Sequence, residues 1–170
     1  MKPLYYHNFD ANDWFIVICI LLSYAIAFRL PRAFPRPLTA LVALFGITLA
    51  KSADHTLGIK PLDFYDTNEI PVFDAADLAT WLLYPVAAYL FVYAYHRMRI
   101  RGLWHTAFIL AGAIGAAGFE LLCLAFHVFS YKEWTLAYSF VVYLVSQSLT
   151  IAFFRIAKRS YLAAKGRLRS

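Results

Sequence analysis

Two charged residues, Lys51 and Glu120, lie inside stretches of sequence that are otherwise almost entirely apolar. A charged side chain within a bilayer costs about 2.5 to 3.5 kcal/mol on insertion scales, and it usually faces protein or water. Counted at the helical rise from Pro37, Lys51 lies ~21 Å along its segment. Counted in the same way from Leu103, Glu120 lies ~25 Å along its own segment. We therefore expect the two residues at similar depth, either as an ion pair that fixes helix register or as parts of a polar pocket.

Further polar residues are predicted near the same level, so that an outward-facing polar site forms. Lys51 shares a helix face with Asp54, at a spacing of three, and with His55, at a spacing of four. In this site Glu120 would bind a proton or a cation, Lys51 would be its counter-charge, and Gln147 would form the floor. The predicted ligand- or ion-binding residues are Lys51, Asp54, His55, Tyr84, Glu120, Tyr143 and Gln147.

Five apolar segments must position these side chains, at residues 14–30, 38–57, 78–98, 103–129 and 134–156. With 62% hydrophobic residues in a chain of 170, the apolar surface exceeds what one soluble core can bury. A membrane span needs about 20 apolar residues, so five spans leave only short loops. The predicted fold class is all-α: a polytopic membrane protein whose residues 1–170 form a single transmembrane domain, a bundle of five helices.

Twelve of the sixteen basic residues are sorted to one side of this predicted bundle. Because basic residues concentrate in cytoplasmic loops, the sorting predicts an amino terminus outside and a carboxyl terminus in the cytoplasm. The net charge of +6 lies beside helix ends, where it orients the chain and contacts anionic lipid headgroups. We therefore expect the lipid bilayer, and no nucleic acid, as a partner. The clusters are Arg29, Arg32 and Arg36; Arg97, Arg99 and Arg101; and Arg155, Lys158, Arg159, Lys165, Arg167 and Arg169.

The longest loop, residues 59–76, is predicted to be exported, and it interleaves acids with aromatic residues. Its oxygen-bearing side chains could coordinate a hard cation such as calcium, although the spacing and the glycine of an EF-hand are missing. Solvated acids on an exposed loop are the competing interpretation. The candidate metal ligands are Asp63, Asp66, Asn68 and Glu69.

Two local patterns bear on helix packing. Residues 111–118 of the fourth segment are small on nearly every face, which favours close helix contacts and a central position in the bundle. Pro85 has no amide hydrogen to donate, so a bend is expected in the third segment beside the polar site. Cys19 and Cys123 both fall within spans and are interpreted as packing residues.

Four motifs follow one another along the chain: Ala-Lys-Ser-Ala-Asp-His at 50–55, Asp-Phe-Tyr-Asp at 63–66, Leu-Tyr-Pro at 83–85 and Tyr-Leu-Phe-Val-Tyr at 89–93. In these motifs the chain resembles uncharacterised small multi-span membrane proteins of Bacillus-like and Clostridium-like spore-forming bacteria. The resemblance covers most of the chain, from the second span onward. It implies a bacterial plasma membrane and the same five-helix bundle, and it implies no activity.

Three functions remain in competition at this point. The first is the binding or translocation of a proton, an ion or a small solute through the polar site; five helices are few for alternating access, so a homodimer is a natural supplement. The second is an accessory or sensory membrane protein whose loop 59–76 contacts a partner, the intramembrane charges serving only helix packing.

The third function is an intramembrane enzyme that acts on a lipid headgroup, with Asp54, His55 and Glu120 as acid and base. It is the least favoured, because no nucleophile or metal triad accompanies these groups, and no residue is assigned a catalytic role. The sequence contains no Cys-x-x-Cys, glycine-rich phosphate loop, His-Glu-x-x-His or Gly-x-Ser-x-Gly motif, so we expect no cofactor.

Overall fold

The computed structural model describes residues 10–58, 61–62, 64–67 and 79–167. These residues form helices α1 (Ala11–Arg29), α2 (Arg36–Leu57), α3 (Leu83–Arg97), α4 (Trp104–Ala125) and α5 (Leu136–Arg167). Two three-residue strands, β1 (Tyr65–Thr67) and β2 (Phe129–Tyr131), form a small antiparallel ribbon. The prediction of a helical protein is confirmed, and the ribbon is an addition that the sequence analysis did not anticipate.

Among the described residues, four helices are long and apolar enough to cross a membrane: α1, α2, α4 and α5. Four of the five predicted spans are thereby confirmed as candidate membrane helices. The third, α3, has only 15 residues, because a turn at Leu82 separates it from a helical stretch at 79–81. Pro85 lies in the first turn of α3, where its missing amide hydrogen is tolerated. The interruption lies three residues before Pro85, and the bend expected at the proline stays a prediction.

Large apolar side chains cover the outside of the bundle. Leu21, Phe28, Leu44, Ile114 and Ile156 are each more than half exposed, and they come from four different helices. A soluble monomer rarely exposes apolar surface on this scale, whereas lipid chains would cover it favourably. Helix length, hydropathy and surface together define the class: a helical integral membrane protein.

The buried core lies between α2, α3 and α5. Helix α2 is central to it, since Leu38 and Val42 are fully buried against side chains of α3 and α5. Near the middle of α2 the ring of Phe45 stacks on Phe153 of α5, with centroids 4.2 Å apart. This stack joins α2 to α5 in the half of the bundle that contains the start of α2. The core residues are Phe34, Leu38, Val42, Val92, Tyr93, Tyr95, Ile151 and Phe154.

A glycine allows the closest approach of α2 and α3. A Cβ atom added to Gly46 would meet the Cβ of Ala88 and would lie 3.1 Å from the carbonyl oxygen of Tyr84. The small residues of α4 contribute less than expected. Ala113 is fully buried and Gly112 faces Gln147, but Gly115 and Gly118 face open space. The run at 111–118 therefore does not make α4 central on all its faces.

The β1–β2 ribbon lies at the end of the bundle where α2 and α4 finish. Tyr65 pairs with Tyr131 in its register, and the amides of Lys132 and Glu133 donate to the carbonyl oxygen of Phe64. These bonds fasten the described beginning of the loop 59–76 to the connection between α4 and α5. The ribbon thus holds two tyrosines over the ends of these helices.

Candidate functional site

A cavity of about 810 Å³ lies among α2, α3, α4, α5 and the ribbon. Its size is within the range usual for small-molecule sites in proteins, roughly 300 to 1,000 Å³. The wall residues are mostly apolar or small, including Leu49, Ala53, Ala116 and Val145. Polar side chains gather at the ribbon end, namely Asp54, Tyr65, Tyr84, Glu120, Tyr131, Ser139 and Tyr143.

Glu120 is the most deeply buried acid of this polar end, with 5% of its surface exposed. Its Oε1 atom accepts hydrogen bonds from the hydroxyl of Tyr131 and, at 2.6 Å, from that of Ser139. Its Oε2 atom accepts one from the hydroxyl of Tyr143, also at 2.6 Å. A carboxylate accepts hydrogen bonds at both oxygens, so three hydroxyl donors satisfy much of its capacity without a basic partner.

The groups around Glu120 are themselves held in place. Trp134 donates its indole N–H to the hydroxyl oxygen of Ser139 at 2.7 Å, which turns the Ser139 hydrogen towards Glu120. Burial, followed by the hydrogen bond to Glu120, raises the pKa of the Tyr131 phenol above its ordinary value. The phenol therefore stays protonated at neutral pH and remains a donor to the carboxylate.

Asp54, one turn before the end of α2, is the centre of a second set of contacts. Its Oδ2 atom accepts hydrogen bonds from the hydroxyl of Tyr84, at 2.8 Å, and from the ammonium of Lys51, at 3.1 Å. The hydroxyl of Tyr65 donates to its Oδ1 atom at 3.1 Å. Burial, followed by the negative charge of Asp54, raises the pKa of Tyr65, so this phenol is also a donor at neutral pH. The ribbon thus supplies one tyrosine to each carboxylate.

Lys51 does not pair with Glu120, as the sequence analysis had considered, because Asp54 one turn along the same helix takes its ammonium. The ammonium lies 4.9 Å from the centroid of the Trp81 ring and 5.8 Å from that of Tyr84. About a third of the Lys51 side chain is exposed, and the residue does not line the cavity. Among the described lining residues, the charged ones are therefore the two acids Asp54 and Glu120.

Five of the seven residues that were predicted from helical depth line one cavity. Asp54, Tyr84, Glu120, Tyr143 and Gln147 line it. Lys51 does not line the cavity, although its ammonium contacts the lining residue Asp54. His55 is exposed and does not line the cavity either. Four further lining residues were not among the predicted site residues, because their positions depend on the ribbon and on the start of α5: Tyr65, Tyr131, Trp134 and Ser139.

Gln147, which was predicted to form the floor, lines the cavity on α5. Its side-chain oxygen is buried and accepts no hydrogen bond from the described residues. That oxygen is directed at Gly112, since a Cβ atom added there would lie 2.5 Å from it. The unpaired acceptor therefore packs against α4 and is shielded from the cavity.

The predicted metal ligands of the loop fall mostly outside the described residues. Asp63, Asn68 and Glu69 belong to the undescribed part, and Asp66 is described only as a backbone partner of Ser130 in the ribbon. In the part of the chain that the structure describes, no three His, Cys, Asp or Glu side chains come close enough to hold a metal ion. The loop metal site stays a prediction.

The cavity is open on one side, between the halves of α2 and α5 that lie nearer the ribbon. Val141, Val145 and Leu149 line it along one face of α5, and each is about half exposed. On α2 the exposed residues Ser52 and Thr56 lie at the same opening. Farther along, the Phe45–Phe153 stack joins the two helices.

No protein-family model matches the chain, and no curated protein or solved structure is significantly similar to it. The class is therefore defined by fold and site alone: a helical membrane protein with an acidic, laterally open cavity.

Proposed function

We propose that this protein binds a cation or a cationic small solute in the cavity, with the carboxylates of Asp54 and Glu120 facing the bound charge. The observation that carries the proposal is the composition of the described lining, in which the two charged side chains are both acidic and most of the wall is apolar. In such surroundings a charge is screened weakly, so a positive ligand is attracted and a negative one is repelled. Translocation of the solute, with a homodimer as the working unit, is the extension of this proposal.

The experiment is a binding titration with tetramethylammonium in lipid nanodiscs. Asp54→Asn and Glu120→Gln each remove one negative charge and keep the side-chain shape, so each should raise the dissociation constant about tenfold, which corresponds to roughly 1.4 kcal/mol. Glu133→Gln is the matched control, because Glu133 is an exposed acid outside the cavity lining. Equal effects of all three substitutions would refute the proposal.

Lys51 should oppose cation binding, because its ammonium lies beside Asp54 and repels a positive ligand. Lys51→Met removes the ammonium while Tyr65 and Tyr84 continue to donate to Asp54. Because the Lys51–Asp54 pair is partly exposed, the effect on the dissociation constant is modest. We expect tetramethylammonium to bind about two- to fivefold more tightly. Weaker binding in Lys51→Met would mean that the lysine helps to form the site, which is the role first considered for it.

For the membrane arrangement we propose five spans in a bacterial plasma membrane, with the amino terminus outside. In addition to α1, α2, α4 and α5, the helix α3 and the turn before it form a span. The basic clusters beside the helix ends support this orientation. In a background with Cys19→Ala and Cys123→Ala, a membrane-impermeant maleimide should label Glu133→Cys on intact cells. Arg101→Cys should react only after permeabilisation. The reverse pattern would show that the bundle is inverted.

The two other functions receive less support from the geometry. For an acid–base enzyme, His55 would have to face the same space as Asp54 and Glu120, but it is exposed outside the cavity lining. For an accessory protein, loop 59–76 would contact a membrane-protein partner, and most of that loop lies outside the described residues.

A further inference from the structure

We propose that the ligand of this cavity is a single-chain cationic amphiphile, whose ammonium head lies at Asp54 and Glu120 and whose apolar chain lies in the groove. The groove is the apolar part of the cavity between α2, α4 and α5, lined by Leu49, Gly112, Ala116, Val141 and Val145. This inference rests on the proposed function, because it adds an apolar tail and a membrane entry route to the cation that the carboxylates attract.

The cavity is much larger than an ion needs, and among its described lining residues the charged side chains lie at one end only. From the level of Glu120, the lining continues along α4 to Ala116 and Gly112, a distance of ~12 Å at the helical rise. On the opposite side the walls are Leu49, Val141 and Val145. A small hydrated ion would leave this apolar length unfilled, whereas an alkyl chain would contact it throughout.

The route into the cavity is lateral. At the ribbon end, Tyr65 and Tyr131 lie over the carboxylates and are hydrogen-bonded to them. At the other end, the Phe45–Phe153 stack joins α2 and α5. Between these closures, half-exposed side chains of α5 line the opening, and in a bilayer that side faces lipid. A ligand that is already dissolved in the membrane can enter here without crossing the ribbon.

The depth of the charges fits a molecule that lies in one leaflet. Glu120 is 16 residues from the start of α4 at Trp104, which is ~24 Å along a hydrocarbon core of about 30 Å. The carboxylates therefore lie close to the headgroup level, where the ammonium of an amphiphile already resides. Its chain then points towards the bilayer centre, which is the direction of the groove. An anionic amphiphile of the same shape would bring its head against two acids.

The test compares two photoreactive probes of equal chain length in nanodiscs: dodecyltrimethylammonium and dodecyl sulfate, each with a diazirine in the chain. We expect the cationic probe to label residues 49–57 and 141–149, at least tenfold more than the anionic one. Asp54→Asn and Glu120→Gln should remove most of this labelling. The proposal is overturned if both probes label these residues equally, or if the cationic probe labels only the exposed outer faces of the bundle.

A groove-filling variant tests the site of the alkyl chain separately from the site of the ammonium head. Ala116→Phe places a ring in the apolar length, and helical side chains lean towards the amino terminus, away from Glu120. It should reduce labelling by the cationic probe at least tenfold and weaken tetramethylammonium binding far less, because that cation has no alkyl chain to place there. Ala111→Phe is the control, because Ala111 lies on the same helix, is exposed and does not line the cavity.

The outcomes distinguish the two proposals. If the cationic probe labels Ala116→Phe and Ala111→Phe equally while tetramethylammonium binding still requires Glu120, the amphiphile proposal is refuted and the cation site stands. If neither tetramethylammonium nor the dodecyl probe depends on Asp54 or Glu120, the cation site itself is refuted. Size-exclusion profiles and melting temperatures of the variants establish that each is folded before labelling.

Discussion

Glu120→Ala is expected to destabilise the folded protein by about 3 kcal/mol, because it removes the acceptor of three hydroxyl donors at once. Each buried donor left without a partner costs about 1 to 3 kcal/mol, and water entering the cavity would recover part of the sum. The donors are Tyr131, Ser139 and Tyr143, which come from the ribbon and from α5. The measurement is the free energy of unfolding in mixed micelles, from a titration with dodecyl sulfate.

Glu120→Gln provides the matched comparison. Its amide keeps the shape and one acceptor oxygen, and hydroxyl groups can rotate to accept from its NH₂, so about 1 kcal/mol should be lost. Equal destabilisation by Ala and Gln would contradict the claim that hydrogen bonds to the carboxyl group hold α4, α5 and the ribbon together. The glutamine variant is therefore the one suited to binding experiments.

Gly46→Leu should have a comparable effect for a different reason. Any Cβ atom at this position meets the Cβ of Ala88, and backbone lies close by at the carbonyl oxygen of Tyr84. Overpacking of this kind costs typically about 1 to 3 kcal/mol, and here α2 and α3 would have to separate. Since Asp54 on α2 and Tyr84 on α3 both line the cavity, tetramethylammonium binding should weaken as well.

Gly118→Leu is the control for Gly46→Leu. A Cβ atom at Gly118 meets nothing within 4 Å, so the substitution should be neutral or stabilise α4 by up to about 1 kcal/mol through helix propensity. Both variants are compared by unfolding in mixed micelles. If Gly118→Leu proves as damaging as Gly46→Leu, the small-residue run of α4 contacts another helix or a second copy of the chain.

The parts of this fold that depend on one segment at a time could be predicted from the sequence. Hydropathy and length identified the helices α1, α2, α4 and α5, because each must match the bilayer by itself. Counting residues along these helices placed Asp54, Glu120 and Tyr143 at one level, since the helical rise is constant. All three line the cavity.

The parts that depend on contacts between distant segments could not be predicted in this way. Tyr65 and Tyr131 reach the carboxylates only because their strands pair, and short strands in a polar loop leave little pattern in the sequence. The partner of Lys51 is a different case. Its i, i+3 spacing to Asp54 was visible in the sequence, and a neighbour on the same helix face lies close regardless of how the helices pack.

The glycines show why composition alone is a poor guide to packing. The run of small residues at 111–118 predicts a close contact, but it does not say which face of α4 makes that contact. Gly112 faces Gln147, whereas Gly115 and Gly118 face open space. The single glycine of α2, Gly46, lies at the closest helix contact because Ala88 happens to be opposite.

The cation site is tested most directly by an anomalous difference map from crystals of the protein soaked with (2-bromoethyl)trimethylammonium. We predict one bromine peak inside the cavity, with the ammonium between Asp54 and Glu120, and no such peak in crystals of the Asp54→Asn, Glu120→Gln double variant. An empty cavity at saturating concentration, or a peak that persists in the double variant, would contradict the proposal that these two carboxylates bind a cation.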